Sequence, residues 1–275
     1  MKKRVCLYTK PFPEITSYRQ MIDLAAEYGI DGVEGFCFME FAEPDAEAAK
    51  EIRAYADSKG VVFPCFSVYI NLVGNDTDKM VQKLKGYADV ASILGSPFLH
   101  HTIACEFANP DNILPRKEEL FEKGVCAVRQ VYDYCETIGI KAIYEEQGYL
   151  FNGVEGFGRF LSEVDRDIRM VADFGNIYQA GDTPEEFFSA FADKFVHAHI
   201  KDVTITDTNA TGEGLLTLSD KYMNQAVVGK GEVAISSCVD ILEKSGFEGY
   251  YGVEYGAVSK AEFDKVMEFV LSVCD

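Results

Sequence analysis

Short apolar runs alternate along this chain with longer segments in which apolar residues recur every three or four positions. The short runs, at residues 5–9, 32–36, 61–67, 97–101, 140–145, 169–173, 195–200 and 250–254, have the length and composition of buried strands. A helical pattern follows each one. Tyr18, Met21, Ile22, Ala25 and Tyr28 share one helical face, as do Met80, Leu84, Tyr87, Ala91 and Leu94, and again Phe263, Val266, Val270 and Leu271. Caps mark the helix starts. Thr183-Pro184-Glu185-Glu186 is a capping box with proline at the first helical position, Ser259 with Glu262 repeats the box, and Asn152 with Glu155 is a weaker version. Glycines at 29, 60, 95, 139 and 246 stand where helices should stop before the next strand.

Eight strand–helix units in a chain of 275 residues predict an α/β fold, a single-domain (β/α)8 or TIM barrel spanning 1–275. An open doubly wound sheet would need a glycine-rich phosphate turn after its first strand. Thr9-Lys10-Pro11-Phe12 is nothing like one.

Composition narrows the function. The hydrophobic content of 48% is enough for one full core, and no stretch reads as a linker. The net charge of −19 opposes phosphate backbones and anionic lipid, so neither nucleic acid nor membrane is an expected partner. The apolar runs are too short to span a bilayer, and the basic start Met1-Lys2-Lys3-Arg4 is not followed by the apolar stretch of a signal peptide. The eight cysteines form no CxxC pair, and several lie in apolar runs. They read as reduced, buried thiols of a cytoplasmic protein.

In such a barrel the active site lies at the C-terminal ends of the strands. Side chains alternate faces along a strand. Lys141, Ile143 and Glu145 therefore share a face, as do Arg169, Val171 and Asp173; His197, His199 and Lys201; and Tyr250, Gly252 and Glu254. Four consecutive strands thus end in Glu145, Asp173, His199 and Glu254. Three carboxylates converging in a buried mouth would repel one another unless a cation joined them. One imidazole with three carboxylates is an oxygen-rich set suited to one divalent ion, Mn2+ first, with Mg2+, Co2+ or Zn2+ as alternatives. A slip of one residue would put Glu146 in place of Glu145. Candidates for holding substrate are Glu34, His100, His101, Asn176, His197 and Lys201, all at or near strand ends. One of His100 and His101 is expected to face substrate, and Glu34 to bond either substrate or a histidine. The long connection between His199 and the helix near Val233, with Gly212-Glu213-Gly214 and Gly229-Lys230-Gly231-Glu232, reads as a partial lid.

These segments resemble the xylose isomerase-like TIM barrels, a superfamily of sugar isomerases, epimerases and dehydratases. The resemblance is carried by Tyr144-Glu145-Glu146-Gln147, by Ala172-Asp173-Phe174-Gly175-Asn176, by His197-Ala198-His199-Ile200-Lys201-Asp202, by Val228-Gly229-Lys230-Gly231-Glu232-Val233 and by Tyr250-Tyr251-Gly252-Val253-Glu254. It implies metal ligation by the first glutamate, the aspartate, the second histidine and the last glutamate. It also implies that Glu145 and Glu254 remove and return a proton beside a metal-polarised carbonyl, through an enediolate, on a small carbohydrate, phosphorylated or not. Two departures stand out. Asn176 replaces a histidine found in many members, and no arginine follows His199 as in the free-ketose epimerases. The HIKD form is closer to inosose-type dehydratases and isomerases. The expectation is a metal-dependent isomerase or epimerase, with a dehydratase or glycoside-cleaving lyase as the alternative and a homo-oligomer left open. A nuclease of the same fold resembles a three-metal site with more histidines than the four present here. A non-catalytic barrel would have lost a ligand.

Overall fold

The computed structural model describes residues 4–104, 110–210 and 212–274. Its central sheet is a parallel barrel built from β1 (Val5–Leu7), β2 (Gly32–Val33), β3 (Gly35–Phe36), β4 (Phe66–Val68), β5 (Phe98–His101), β6 (Lys141–Tyr144), β7 (Arg169–Asp173), β8 (Phe195–Ile200) and β12 (Tyr251–Val253). Strands β9 (Val203–Thr206), β10 (Leu215–Leu216) and β11 (Tyr222–Gln225) form a separate antiparallel sheet.

The strand expected at 32–36 is interrupted at Glu34, and this break closes the ring. β2 pairs with β1, and β3 pairs with β4. The Glu34 amide bonds Leu7 O at 2.8 Å, while the Gly35 amide bonds Cys65 O at 3.0 Å on the other side. Position 35 must be glycine, because a Cβ there would lie 2.2 Å from the Phe66 ring. The sixth and seventh barrel strands, β7 and β8, keep their expected bounds; most of the others are shorter, and 61–67 is regular only from Phe66.

Around the barrel run α1 (Tyr18–Glu27), α2 (Ala46–Lys59), α3 (Thr77–Leu94), α4 (Lys117–Thr137), α5 (Gly153–Val164), α6 (Pro184–Ala190), α7 (Ile235–Lys244) and α8 (Lys260–Val273). Each presents an apolar stripe to the sheet; in α5 it is Phe157, Phe160 and Val164, all fully buried. The Thr183–Glu186 box forms both of its bonds. The other two do not. Ser259 caps the Glu262 amide, but the Glu262 carboxylate turns to Tyr255 Oη at 2.6 Å. Asn152 accepts from Gly153 and sends its amide to Asn176 O.

Inside the barrel, Cys65, Ile143 and Val171 form a small apolar plug, with Phe98 and Val196 against it. This floor carries the polar layer above it. The cysteine expectation is corrected in part. Among the described residues Cys6, Cys65, Cys135 and Cys238 are buried, but Cys37 and Cys274 are half-buried and Cys126 on α4 is exposed. Cys105 lies outside the described residues. No helix among the described residues is long and apolar enough to cross a membrane.

Candidate metal centre

The last turns of β7, β8 and β12 sit side by side. Asp173 and Gly252 flank His199 in register. Alternation then sends the side chains of Asp173 and His199 inward, and Glu145 and Glu254 follow from the residues just past β6 and β12. Glu145 Oε2 lies 3.0 Å from His199 Nδ1, Glu254 Oε2 3.7 Å and Asp173 Oδ2 4.0 Å. Donor atoms of Glu145, Asp173 and His199 all fall within 4.8 Å of one another. Glu254 is a little withdrawn, its Oε1 accepting from Lys201 Nζ at 2.8 Å.

The backbone steadies this cluster. Asp173 Oδ1 accepts from the Gly175 and Asn176 amides at 2.8 and 2.7 Å, whereas its Oδ2, fully buried, has no partner in the protein. Burial pushes the Asp173 carboxyl up to about 8, against the pull of Lys201. Burial also acts to raise Glu145, but His100 and His199 outweigh it and hold that carboxyl below its usual range. For His199, burial is outweighed by Glu34 and Glu145, which raise it well above an ordinary histidine. Lys201 is raised too, burial being overcome by Glu254, Asp173 and Glu145. Three acids, one of them with an orphaned oxygen, and one imidazole are a donor set that fits a hard divalent cation.

Above the cluster lies a cleft of about 250 Å3. Tyr8, His100, Glu145, Asn176, Lys201 and Glu254 line it. Lys201 Nζ also donates to Asn176 Oδ1 at 3.0 Å, leaving the Asn176 amide nitrogen without a partner.

A sequence profile of the xylose isomerase-like TIM barrels matches residues 22–272. The chain belongs to that family. No curated protein matches it. Solved structures of low sequence identity share the family's fold. D-psicose 3-epimerase with D-tagatose, from Clostridium cellulolyticum, superposes with a TM-score of 0.77 at 15% identity, covering 98% of each chain. A probable 3-DHS dehydratase of petrobactin synthesis from Bacillus anthracis gives 0.77 at 17% identity, over 98% of this chain and 99% of that one. A xylose isomerase-like TIM barrel protein from Mycobacterium smegmatis, in complex with magnesium, gives 0.70 at 18%, over 94% and 88%.

Within this family member, His101 and His197 stand away from the cleft, and Glu34 bonds histidines, one of its two expected partners. His101 points out of the barrel, its Nδ1 2.9 Å from Thr102 O and its Nε2 3.1 Å from Tyr144 Oη; burial pushes it down to about 3. Only His100 of the pair lines the cleft. His197 and Glu34 lie beneath the cluster, fully buried, with His197 Nε2 2.6 Å from Glu34 Oε2. They touch a histidine rather than the cleft, because their positions are one pleat repeat deeper in the barrel than the strand ends. Glu146 faces away from the cluster, fully buried with neither oxygen partnered, and burial raises it well above an ordinary glutamate.

Sequence reading missed several residues. Tyr8 lines the cleft and stacks on His199, ring centroids 4.3 Å apart and planes 18° from parallel. Gln147, Gln179 and Leu215 also line it. Leu215 belongs to the antiparallel sheet, so the segment expected as a lid is a folded insertion with one edge on the cleft, tied down by Tyr149 Oη to Leu216 O at 2.7 Å.

Proposed function

We propose that this chain is a divalent-cation-dependent isomerase or epimerase that moves a proton beside the carbonyl of a small carbohydrate. The observation that carries the reading is the convergence of Glu145, Asp173, His199 and Glu254 on one point at the C-terminal mouth. Glu145, Asp173, His199 and Glu254 would hold the ion, with Mn2+ or Mg2+ best matched to the donors. When bound, it supplies positive charge to a substrate oxygen that becomes anionic as the neighbouring C–H is lost.

The chain's own residues do the rest. Glu145 and Glu254 come from strands separated by two others, β7 and β8 lying between β6 and β12, so their carboxylates face a bound substrate from different sides. One removes the proton and the other returns it. Return to the opposite face of the same carbon inverts it; return to the next carbon isomerises. Asn176 and His100 orient hydroxyls, using ring and amide nitrogens that have no partner in the protein. The folded insertion limits access of water along the Leu215 edge. Among the described residues, the free thiols of Cys6, Cys37, Cys65, Cys126, Cys135 and Cys238 suit the reducing cytoplasm.

One observation favours a second reading. Lys201 Nζ is half-buried and cationic beside Glu254, placed to give a proton to a departing β-hydroxyl. That would make the reaction a dehydration.

The test is turnover in D2O. Mn2+-loaded protein is incubated with ketoses, inososes and their phosphates, and products are followed by NMR. Deuterium is expected at the carbon next to the carbonyl. Glu145→Gln and Glu254→Gln should each slow exchange by at least about a hundredfold. Undiminished exchange in both variants ends the two-carboxylate scheme.

A further inference from the structure

Beneath the cluster, a single carboxylate receives donors from four directions. Glu34 Oε1 accepts from Ser67 Oγ at 2.5 Å and lies 3.1 Å from His199 Nε2. Its Oε2 lies 2.6 Å from His197 Nε2, with the Cys6 thiol at 3.9 Å. All four partners are buried, and so is Glu34. An ionised carboxylate only accepts. Every hydrogen around it is therefore assigned. Nε2 of His197 carries a proton, and so does Nε2 of His199. The Ser67 hydroxyl spends its single hydrogen on Glu34, so the 2.9 Å contact between Ser67 Oγ and His100 Nδ1 must be donated by the histidine.

The consequence falls on the faces turned to the cleft. With Nε2 of His199 committed to Glu34, the nitrogen left to bind a cation is Nδ1, which is the atom facing Glu145, Asp173 and Glu254. With Nδ1 of His100 committed to Ser67, its Nε2 presents a lone pair to the cleft, 3.7 Å from Glu145 and without a hydrogen-bond partner. We infer that Glu34 is a positioning residue that fixes the ring orientation and proton placement of His199 and His100 together, His199 directly and His100 through Ser67, so that Nε2 of His100 presents a lone pair and Nδ1 of His199 is the nitrogen a cation would take in place of the proton it shares with Glu145.

A separate observation supports this. Gly252 lies beside His199 in the sheet, and a Cβ there would stand 2.8 Å from Glu34 Oε2 and 3.2 Å from His199 Cδ2. The missing side chain is what lets the carboxylate and the imidazole meet. Tyr8 covers the His199 ring by stacking and cannot correct its tautomer. The bonds from metal-binding histidines to carboxylates typically govern affinity by ten- to a hundredfold.

This inference rests on the metal reading only for its effect on affinity, and the test separates the two. The chain has four histidines, so 15N-histidine labelling gives an assignable spectrum. In metal-free protein, long-range 1H–15N NMR should show His100 protonated on Nδ1 and His197 on Nε2. With Zn2+, a diamagnetic probe, His199 should keep its Nε2 proton and bind through Nδ1. Glu34→Gln should scramble these signals and weaken Zn2+ binding, read by calorimetry, by about ten- to a hundredfold. Gly252→Ala keeps every donor and crowds Glu34, so it should weaken Zn2+ binding in the same direction and broaden the His199 Nε2–H signal. A merely structural glutamate would move neither signal. His100 protonated on Nε2 in the wild type, or an unchanged tautomer pattern in Glu34→Gln, overturns the inference. If the wild type takes up no Zn2+, the metal reading fails, while the His100 and His197 signals still decide for or against Glu34.

Discussion

The two mouths of the barrel differ in almost every respect that bears on chemistry. The N-terminal mouth holds the larger cavity, about 510 Å3, lined largely by Val62, Phe63, Pro64, Phe98, Val196 and Tyr250. The C-terminal mouth holds about 250 Å3. Yet, among the described residues, most of the buried polar atoms without partners gather at the smaller one, the two Glu146 oxygens apart. Thr9, His100, Gln147, Asn176 and Gln179 all line it, and Asp173 Oδ2 lies just below. At the larger cavity only His197 Nδ1 shares that condition. Each such atom costs about 1–3 kcal/mol unless something satisfies it. A fold tolerates a concentration of that cost where a ligand offsets it, so unmet hydrogen-bonding capacity marks the working end better than volume does. The floor of Cys65, Ile143 and Val171 separates the two.

The sharpest way to break this contrast is to remove the charge that makes the upper mouth unstable by itself. Asp173→Asn should abolish tight cation binding, since it takes one anionic ligand and leaves the other donors in place. The same residue sets a pH dependence. In metal-free protein its carboxyl is raised to about 8 by burial, against about 3.9 in an unfolded chain. Its contribution to stability is therefore full below about pH 4 and is lost as pH rises through 8. His199, also raised, has the same sign. Chelator-treated wild type should melt at lower temperature at pH 9 than at pH 5. Asp173→Asn should flatten that slope, and added Mn2+ should reverse it in the wild type alone. A chelated wild type whose melting temperature rises over this interval would mean that Asp173 is not held as described.

How legible was this site in the sequence? The fold was, because eight apolar runs with helical segments between them have few other ways to bury themselves. Alternation applied to the last four strands led directly to Glu145, Asp173, His199 and Glu254, which the structure brings together. The same count extended to the first four strands would have served as well. Cys6 and Tyr8, Glu34 and Phe36, Cys65 and Ser67, and Phe98 and His100 are pairs two apart, and they point inward. That count selects His100 over His101 and finds Tyr8. Depth was not legible. Within β8 the spacing puts His197 one layer below His199, but nothing in it says that Glu34 shares that layer, because depth across strands depends on their stagger. The insertion was illegible for a different reason. Its antiparallel strands are two to four residues long and half-exposed, and they hold together by pairing with one another rather than by a periodic apolar face.

A smaller perturbation of the upper mouth acts through Asp202. Its carboxylate accepts from four backbone amides, those of Val203, Gly229, Gly231 and Val233, at 2.8–3.1 Å. It thereby ties the glycine-rich segment before α7 to the end of β8. Gly231 has to be glycine, since a Cβ would sit 2.2 Å from Asp202 Oδ1. Asp202→Asn keeps the shape but turns two acceptor oxygens into one and adds a donor that faces donors. A loss of about 2–4 kcal/mol is expected. In urea it should appear as a lower midpoint with unchanged slope. A change under about 0.5 kcal/mol would show that the segment holds itself.

The least effect is expected at the larger of the two mouth cavities. Val62 lines the N-terminal mouth with 46% of its surface exposed, so Val62→Ser removes little buried area. Its backbone bonds, from the Val33 amide to Val62 O and from the Val62 amide to Asp31 O, do not depend on the side chain. The expected change is within about 0.5 kcal/mol. Cation affinity and turnover should both stay at wild-type values, because Val62 touches neither the polar layer nor the cluster, and the apolar plug stands between. A drop in Mn2+ affinity on Val62→Ser, measured by calorimetry, would mean that the two mouths communicate. His197 would be the place to look, since it lines the lower cavity and bonds Glu34 beneath the metal site.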